Sequence, residues 1–389
     1  MSNPRAPLDI RKAREAAAAI VCEWCQEPAI YGSTPPTCEK HKAIAGRHPW
    51  RVGNDAIDSA ERLHDMPSDV LIHWPWRAVN ELAGPLVPGR LTYVAAFPSN
   101  GKTTFLMHCL AHFLDTGKTV TYLPLEAEPG EVFTRLACYR TGVNADEALS
   151  KRLRLRADDG ETFAQEQLDR LADCYRAMRT DEGLLLGLRI EPIRALTLRT
   201  FERAIKAAKA MESDVLVVDH VDHIEHESGE GGAEIELSNR LQQAALNAAI
   251  ELQIPVILAS QLNSSRTGGD ALAHYRPPAV DWLYNKGKKE QNAATILGLF
   301  RPTNPDADQD LVTKVSKRQA EPATIVLPNR MGVAGMKLRY GGAMKERSVM
   351  LKYEHGALTD VDALDARGDA AASAGYATGR GASEFGRGW

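Results

Sequence analysis

Two groups of residues in this chain have the types and spacing to do chemistry. The first is Phe97-Pro98-Ser99-Asn100-Gly101-Lys102-Thr103-Thr104. Where such a turn opens a helix, the backbone N–H groups of Ser99, Asn100, Gly101, Lys102, Thr103 and Thr104 point at an anion, and the helix dipole favours negative charge. Lys102 adds a cation for the β and γ phosphates of a nucleoside triphosphate, and the Thr103 hydroxyl suits Mg²⁺. Ala96 stands where such loops usually carry their first glycine. The second group is Cys22-Glu23-Trp24-Cys25 followed, after twelve residues, by Cys38-Glu39-Lys40-His41. Two pairs spaced this way form two hooks that a tetrahedral Zn²⁺ closes, so Cys22, Cys25, Cys38 and His41 are expected to bind zinc. A closed shell of three cysteines and one histidine leaves no open coordination position, which makes the expected role structural.

The elements that must position the first group are legible from apolar patterning. Residues 91–96 form a short apolar, β-prone run, and a helical pattern with Phe105, Leu106, Cys109, Leu110 and Phe113 follows the turn. Three further apolar runs end in polar residues: 120–125 before Glu126, 214–218 before Asp219, and 254–260 before Gln261. Open α/β sheets place ligands at the carboxyl ends of their strands. Asp219 is suited there to hold Mg²⁺ through water. Helical patterns at 129–139, 197–211 and 234–252 separate these runs, the last with Leu237, Leu241, Ala245 and Ala248 on one face. The alternation predicts an α/β fold with a mostly parallel sheet flanked by helices. After Ala294, short runs at 296–301, 311–315, 323–327 and 349–353 predict antiparallel strands extending one sheet edge.

The 389 residues are 44% apolar and 25% charged, which excludes a wholly disordered chain. With 47 basic and 51 acidic side chains the net charge is −4, so contact with nucleic acid must come from local basic loops. The loop 226–232 is acidic, a poor cradle for phosphates. The segment 263–291 instead interleaves Arg266, Arg276, Lys286, Lys288 and Lys289 with Tyr275, Trp282 and Tyr284, a pattern that suits single-stranded DNA. Arg266, Lys286, Lys288 and Lys289 are the expected DNA-binding residues. Histidines recur through Asp219-His220-Val221-Asp222-His223-Ile224-Glu225-His226 and read as a metal-dependent nuclease site, as lining between nucleotide and DNA, or as solvent-facing side chains. Cys109, Cys138 and Cys174 read as small buried hydrophobes. The basic run 151–156 reads as a solvated or subunit-contacting helix face. The expected organisation is an N-terminal helix and zinc knuckle over 1–49, a tryptophan-bearing linker docked on the core over 50–85, an ATPase domain over 86–360 and a disordered Gly/Ala-rich tail over 361–389. In that linker, Trp50, Trp74 and Trp76 read as packing anchors ahead of base-stacking groups. No run approaches the ~18 apolar residues of a membrane span and the start lacks a signal peptide's apolar core, so a cytoplasmic location away from membranes is expected.

Ala96-Phe97-Pro98-Ser99-Asn100-Gly101-Lys102-Thr103-Thr104, Leu125-Glu126, Val217-Val218-Asp219, Ser260-Gln261-Leu262-Asn263 and Glu290-Gln291 occur in one order. In that order and spacing the chain resembles the DnaB-type replicative helicases, a branch of the RecA-fold ATPases, over roughly residues 80–355. The resemblance implies a compact, phage-like member with a RecA-like core that hydrolyses ATP with Mg²⁺ and moves on single-stranded DNA in replication or recombination. It further implies Glu126 as the base that orients water, and Gln261 as the reporter of hydrolysis to DNA-contacting loops. Arg330, in Asn329-Arg330-Met331-Gly332, is implied as a finger reaching a neighbouring subunit's ATP. A homo-oligomeric ring such as a hexamer, and replication or recombination partner proteins, are implied with it. Pro328 replaces a lysine usual in the family, so part of that charge is absent or comes from elsewhere, such as Lys317 or Arg318, and the zinc knuckle stands where the family has a helical domain. The alternatives are a RecA-like strand-annealing recombinase, the metal-dependent nuclease, and a regulatory loader that binds nucleotide and protein partners without moving on DNA.

Overall fold

The strand leading into the Gly101-Lys102-Thr103 turn lies at the middle of a sheet. The computed structural model describes residues 71–361 apart from 180, 182–186, 192–194, 223, 226–233, 269–271, 285, 304–313, 315–325, 340–347 and 355–356. These residues all belong to the second of the two units into which the chain divides, Leu71–Trp389. Leu91–Ala96 forms β1 with all six residues buried. Such a wholly buried strand needs cover on both faces. Its period of two supplies it: Val94 and Ala96 pack on one side with Phe105, Phe113 and Leu136, while Tyr93 and Ala95 pack on the other with Phe201, Leu237 and Leu241.

The remaining strands are β2 (Val120–Pro124), β3 (Leu188–Ile190), β4 (Val215–Asp219), β5 (Val256–Gln261), β6 (Ala293–Phe300), β7 (Arg330–Leu338), β8 (Ser348–Glu354) and β9 (Ala357–Asp360). Their order is β3-β2-β4-β5-β1-β6-β7-β8-β9. From β3 to β6 every pairing is parallel, and from β6 to β9 every pairing is antiparallel. Ala96 pairs with Gln261 and Pro124 with Asp219, so β1 and β5 finish level with each other, as do β2 and β4, with β5 running two residues beyond β4.

The helices are α1 (Arg77–Ala83), α2 (Lys102–Asp115), α3 (Pro129–Thr141), α4 (Ala145–Leu149), α5 (Arg152–Asp158), α6 (Thr162–Met178), α7 (Leu198–Ala210), α8 (Glu234–Leu252) and α9 (Lys286–Asn292). Local sequence sets their ends. Pro129 occupies the first turn of α3 and Gly142 closes it at φ +68°. Thr197 and Thr200 cap α7 reciprocally. The apolar stripe of α8 is buried as its spacing predicts. The basic run ending at Arg156 lies on α5, where Arg156 pairs with Glu147 and Glu161. Cys109 and Cys138 are buried, and burial pushes the Cys138 thiol up to about 11.

Trp74 and Trp76 are buried and face the side of α2, with the Trp76 ring 4.6 Å from that of Phe105. Trp76 Nε1 donates to Leu358 O at 2.8 Å, which ties the segment before β1 to β9.

The antiparallel edge differs from expectation in two ways. The run at 296–301 forms β6, which pairs parallel to β1, and the antiparallel part starts only at β7. Strand β7 was invisible because Gly332 and Gly335 dilute its apolar pattern. They are there for packing: a Cβ at Gly332 would fall 2.2 Å from Phe300 Cζ. The expected strands at 311–315 and 323–327 fall almost wholly outside the described residues. Among the described residues no helix is long and apolar enough to cross a membrane.

Candidate functional site

The turn after β1 is tight. Gly101 sits at φ +81° and opens α2, and Phe105 N donates to its carbonyl at 2.8 Å. A Cβ at that position would meet Met331 Cε at 2.5 Å, a contact the flexible methionine tip relieves by moving, so it is the left-handed backbone that requires glycine. Ser99, at φ +64°, is exposed, while Lys102, Thr103 and Thr104 are half-buried in the first turn of α2. Asn100 is buried and its Nδ2 donates to His274 O at 3.0 Å. His274 itself stacks on Phe97 with ring centroids 4.0 Å apart, so the segment after β5 braces the turn. Sequence reasoning missed His274, for which spacing offered no signal.

Asp219 ends β4 beside this turn. Its Oδ2 accepts from Thr103 Oγ1 at 3.1 Å and from the Tyr122 hydroxyl at 3.3 Å. Burial raises its carboxyl above the ordinary range, opposed by the Lys102 ammonium and the Thr103 hydrogen bond. A cavity of about 270 Å³ is lined by Thr103, Tyr122, Glu126, Glu131, Arg135 and Asp219. Hydroxyl and carboxylate oxygens gathered at a buried acid fit a hard divalent cation such as Mg²⁺. Arg135 is held there by Glu131 at 2.8 Å.

Glu126 follows β2 with its side chain 74% exposed, yet its Oε1 lies 2.9 Å from His220 Nε2. Gln261, at the end of β5, stands beside the same ring nitrogen at 3.1 Å. A Glu126 carboxylate only accepts, so Nε2 carries the ring proton, and Asp222 N–H donating to Nδ1 at 3.4 Å fits that tautomer. The Gln261 amide nitrogen, itself a donor, is then in contact with the ring and not hydrogen-bonded to it, and the buried His220 lies between Glu126 and Gln261. The Asp-His-Val-Asp run was the available signal for it, yet only contact distances reveal which histidine turns inward. In its described part that run holds no group of three His, Cys, Asp or Glu side chains arranged for a metal ion, and His223 and His226 lie outside the described residues.

Lys289 corrects an expectation. It is fully buried, with Nζ donating to Asp222 Oδ1 at 2.6 Å, Ser260 Oγ at 2.9 Å and Tyr284 O at 2.8 Å. An ammonium desolvated and paired in this way cannot meet a DNA phosphate. The other basic candidates differ among themselves. Lys288 is exposed, Lys286 pairs with Asp281 and with Glu290 at 3.1 Å, and the exposed Arg266 donates to Asp281 O at 3.3 Å. Arg276 lies 5.7 Å above the Trp282 ring. Arg330 opens β7 and does not line the cavity. Lys317, Arg318 and the four expected zinc ligands Cys22, Cys25, Cys38 and His41 lie outside the described residues.

The family model described as the DnaB-like helicase C terminal domain matches residues 74–346. The replicative DNA helicase DnaB of Buchnera aphidicola subsp. Schizaphis graminum is 26% identical over 258 residues, covering 64% of this chain and 51% of that protein. That of Helicobacter pylori is 28% identical over 216 residues, covering 55% and 40%. The chain therefore spans about half the length, or less, of these curated relatives. Among solved structures, an ATPase domain solved by itself aligns with TM-score 0.59 at 17% identity, over 79% of this chain and 98% of that one. A DnaB-like replicative helicase, solved in a study of its interactions with primase, aligns with TM-score 0.60 at 17% identity, over 83% and 70%. The expectation of an α/β fold with a mostly parallel sheet flanked by helices holds, and the two solved structures share that fold.

Proposed function

This chain belongs to the family of DnaB-like helicase C-terminal domains, and from that premise we propose that it hydrolyses ATP to move along single-stranded DNA and unwind duplex. The observation that carries the proposal is convergence: Thr103 in the first turn of α2, Glu126 just after β2 and Asp219 at the end of β4 line one cavity. ATP with Mg²⁺ supplies the phosphoryl bond whose hydrolysis releases the free energy for movement. Ser99 to Thr104 cradle its phosphates, Lys102 neutralises them, and Thr103 and Asp219 hold the metal. Glu126 orients the attacking water, with His220 fixing its carboxylate. Gln261, touching the same ring, reports the state of the site to the segment 263–291. Arg266, Lys286 and Lys288 meet the DNA backbone. Arg330 acts on a neighbouring subunit's ATP in a ring, where developing charge makes an arginine worth ~10³-fold or more. The four zinc ligands stand on their spacing alone.

ATP hydrolysis with and without poly(dT), on the wild type and on Glu126→Gln and Lys102→Ala, tests this reading. DNA-stimulated turnover in the wild type is expected. Glu126→Gln should retain ATP binding while hydrolysis is lost, and Lys102→Ala should lose binding. A forked duplex then separates outcomes: ATP-dependent strand displacement supports the motor, whereas pairing of complementary strands without displacement overturns it in favour of a recombinase.

A further inference from the structure

We infer that the Asp222–Lys289 pair is a positioning couple through which the basic helix α9 sets the Gln261–His220–Glu126 chain. The inference rests on the DNA-stimulated ATPase reading above. Asp222 reaches every part of that chain's foundation. Its Oδ1 accepts from Lys289 Nζ at 2.6 Å and from Ser260 Oγ at 2.8 Å. Its Oδ2 accepts from the backbone N–H of Gln261, and its own N–H reaches His220 Nδ1 at 3.4 Å. One carboxylate therefore fixes the main chain that carries Gln261 and faces the ring that holds Glu126.

Lys289 is the far end of the strut. Its side chain is 0% exposed and that of Asp222 is 1% exposed, although 67 residues separate the two in sequence. Lys289 adjoins the exposed Lys288 in the last part of α9, and a non-helical Gly287 (φ +16°, ψ −118°) kinks the segment between them and Lys286. A buried ion pair is poor evidence for stability, since well-packed apolar residues of similar volume serve packing as well or better. What an apolar pair does not supply is direction. Separating these charges in a dry site is strongly unfavourable, so when α9 shifts Asp222 follows, and with it the Gln261 N–H and the His220 ring. A polyanion bound at Lys288, next to Lys289 beyond the Gly287 kink, thereby changes where Glu126 stands, without touching Glu126.

The double variant Asp222→Asn, Lys289→Met isolates this link, because it cuts the strut while leaving no unpaired charge in the core. Against the wild type, poly(dT) affinity and its salt dependence should be unchanged and KM for ATP should stay within about twofold, since neither residue contacts phosphate. The stimulation of hydrolysis by saturating poly(dT) should fall to a third or less of the wild-type factor. Retained stimulation overturns the inference. So does stimulation lost together with poly(dT) binding, which makes Lys289 a phosphate contact. A wild type that poly(dT) does not stimulate overturns the functional reading itself. Hydrogen exchange on the wild-type protein gives a measurement free of variants: poly(dT) should alter protection at Gln261 and residues 219–222 as well as on α9. A change confined to α9 overturns the inference.

Discussion

His220 Nε2 lies 2.9 Å from Glu126 Oε1, so a buried imidazole holds a largely exposed carboxylate in place. Freed from that contact, Glu126 would sample its solvent rotamers, and a base misplaced by about 1 Å costs on the order of 10- to 100-fold in rate. His220→Ala should therefore lower kcat for ATP on that scale with KM nearly unchanged, because the phosphate cradle is untouched. His220→Gln, which can still present an N–H, should recover part of the rate. Steady-state hydrolysis decides it, and a rise in KM at constant kcat would remove His220 from the catalytic chain.

Gly101 carries two constraints that can be separated. A left-handed backbone costs an alanine roughly 1–2 kcal/mol, and the added methyl also meets Met331 Cε. Gly101→Ala should lower stability by that order and weaken ATP binding. Adding Met331→Ala relieves the contact but not the backbone, so the pair should remain impaired in ATP binding. Urea titration and nucleotide binding on both variants measure the two effects.

Within the parallel half of the sheet, β1, β2, β4 and β5 were legible as largely apolar runs, and β4 and β5 end in the polar Asp219 and Gln261. Strand β3, with Arg189 among its three residues, carried no such signal, and β6, expected among the antiparallel strands, pairs parallel to β1. The spacing of Gly101-Lys102-Thr103 marked the turn between β1 and α2. What stayed hidden depends on direction, which spacing does not encode. Lys289 lies one residue from the exposed Lys288 yet turns into the core, where Asp222 is its partner. His220 is one of several histidines in its run, and only the packing of β4 beside β5 brings it to Gln261. Strand β7 escaped because its glycines look like loop residues until Phe300 is seen lying across Gly332.

Trp76 makes the segment before β1 part of the core. It is buried against Phe105 and its indole N–H satisfies Leu358 O, so it spans both ends of the folded unit. Trp76→Ala should cost ~3–5 kcal/mol, the range for emptying an aromatic site. Trp76→Phe should keep most of the packing but orphan the carbonyl, at a cost of about 1–3 kcal/mol. Chemical denaturation followed by circular dichroism measures both, and a Trp76→Ala protein as stable as wild type would show that the segment merely rests on the core.

The three lysines of α9 are close neighbours in sequence but differ in the charge they have to offer. Lys288 faces solvent, Lys286 is already balanced by Asp281 and Glu290, and Lys289 is spent on Asp222. For single strands each neutralised phosphate contributes about 0.7 to the slope of log affinity against log salt. Lys288→Ala should therefore flatten that slope by about 0.7. Lys286→Ala should flatten it less, because binding releases Lys286 from two carboxylates before it meets a phosphate. The double variant Asp222→Asn, Lys289→Met should leave the slope unchanged. Fluorescence titration of labelled poly(dT) across a salt series ranks the three. A slope change from the Lys289 variant equal to that from Lys288→Ala would mean that α9 unfolds its buried pair to bind DNA.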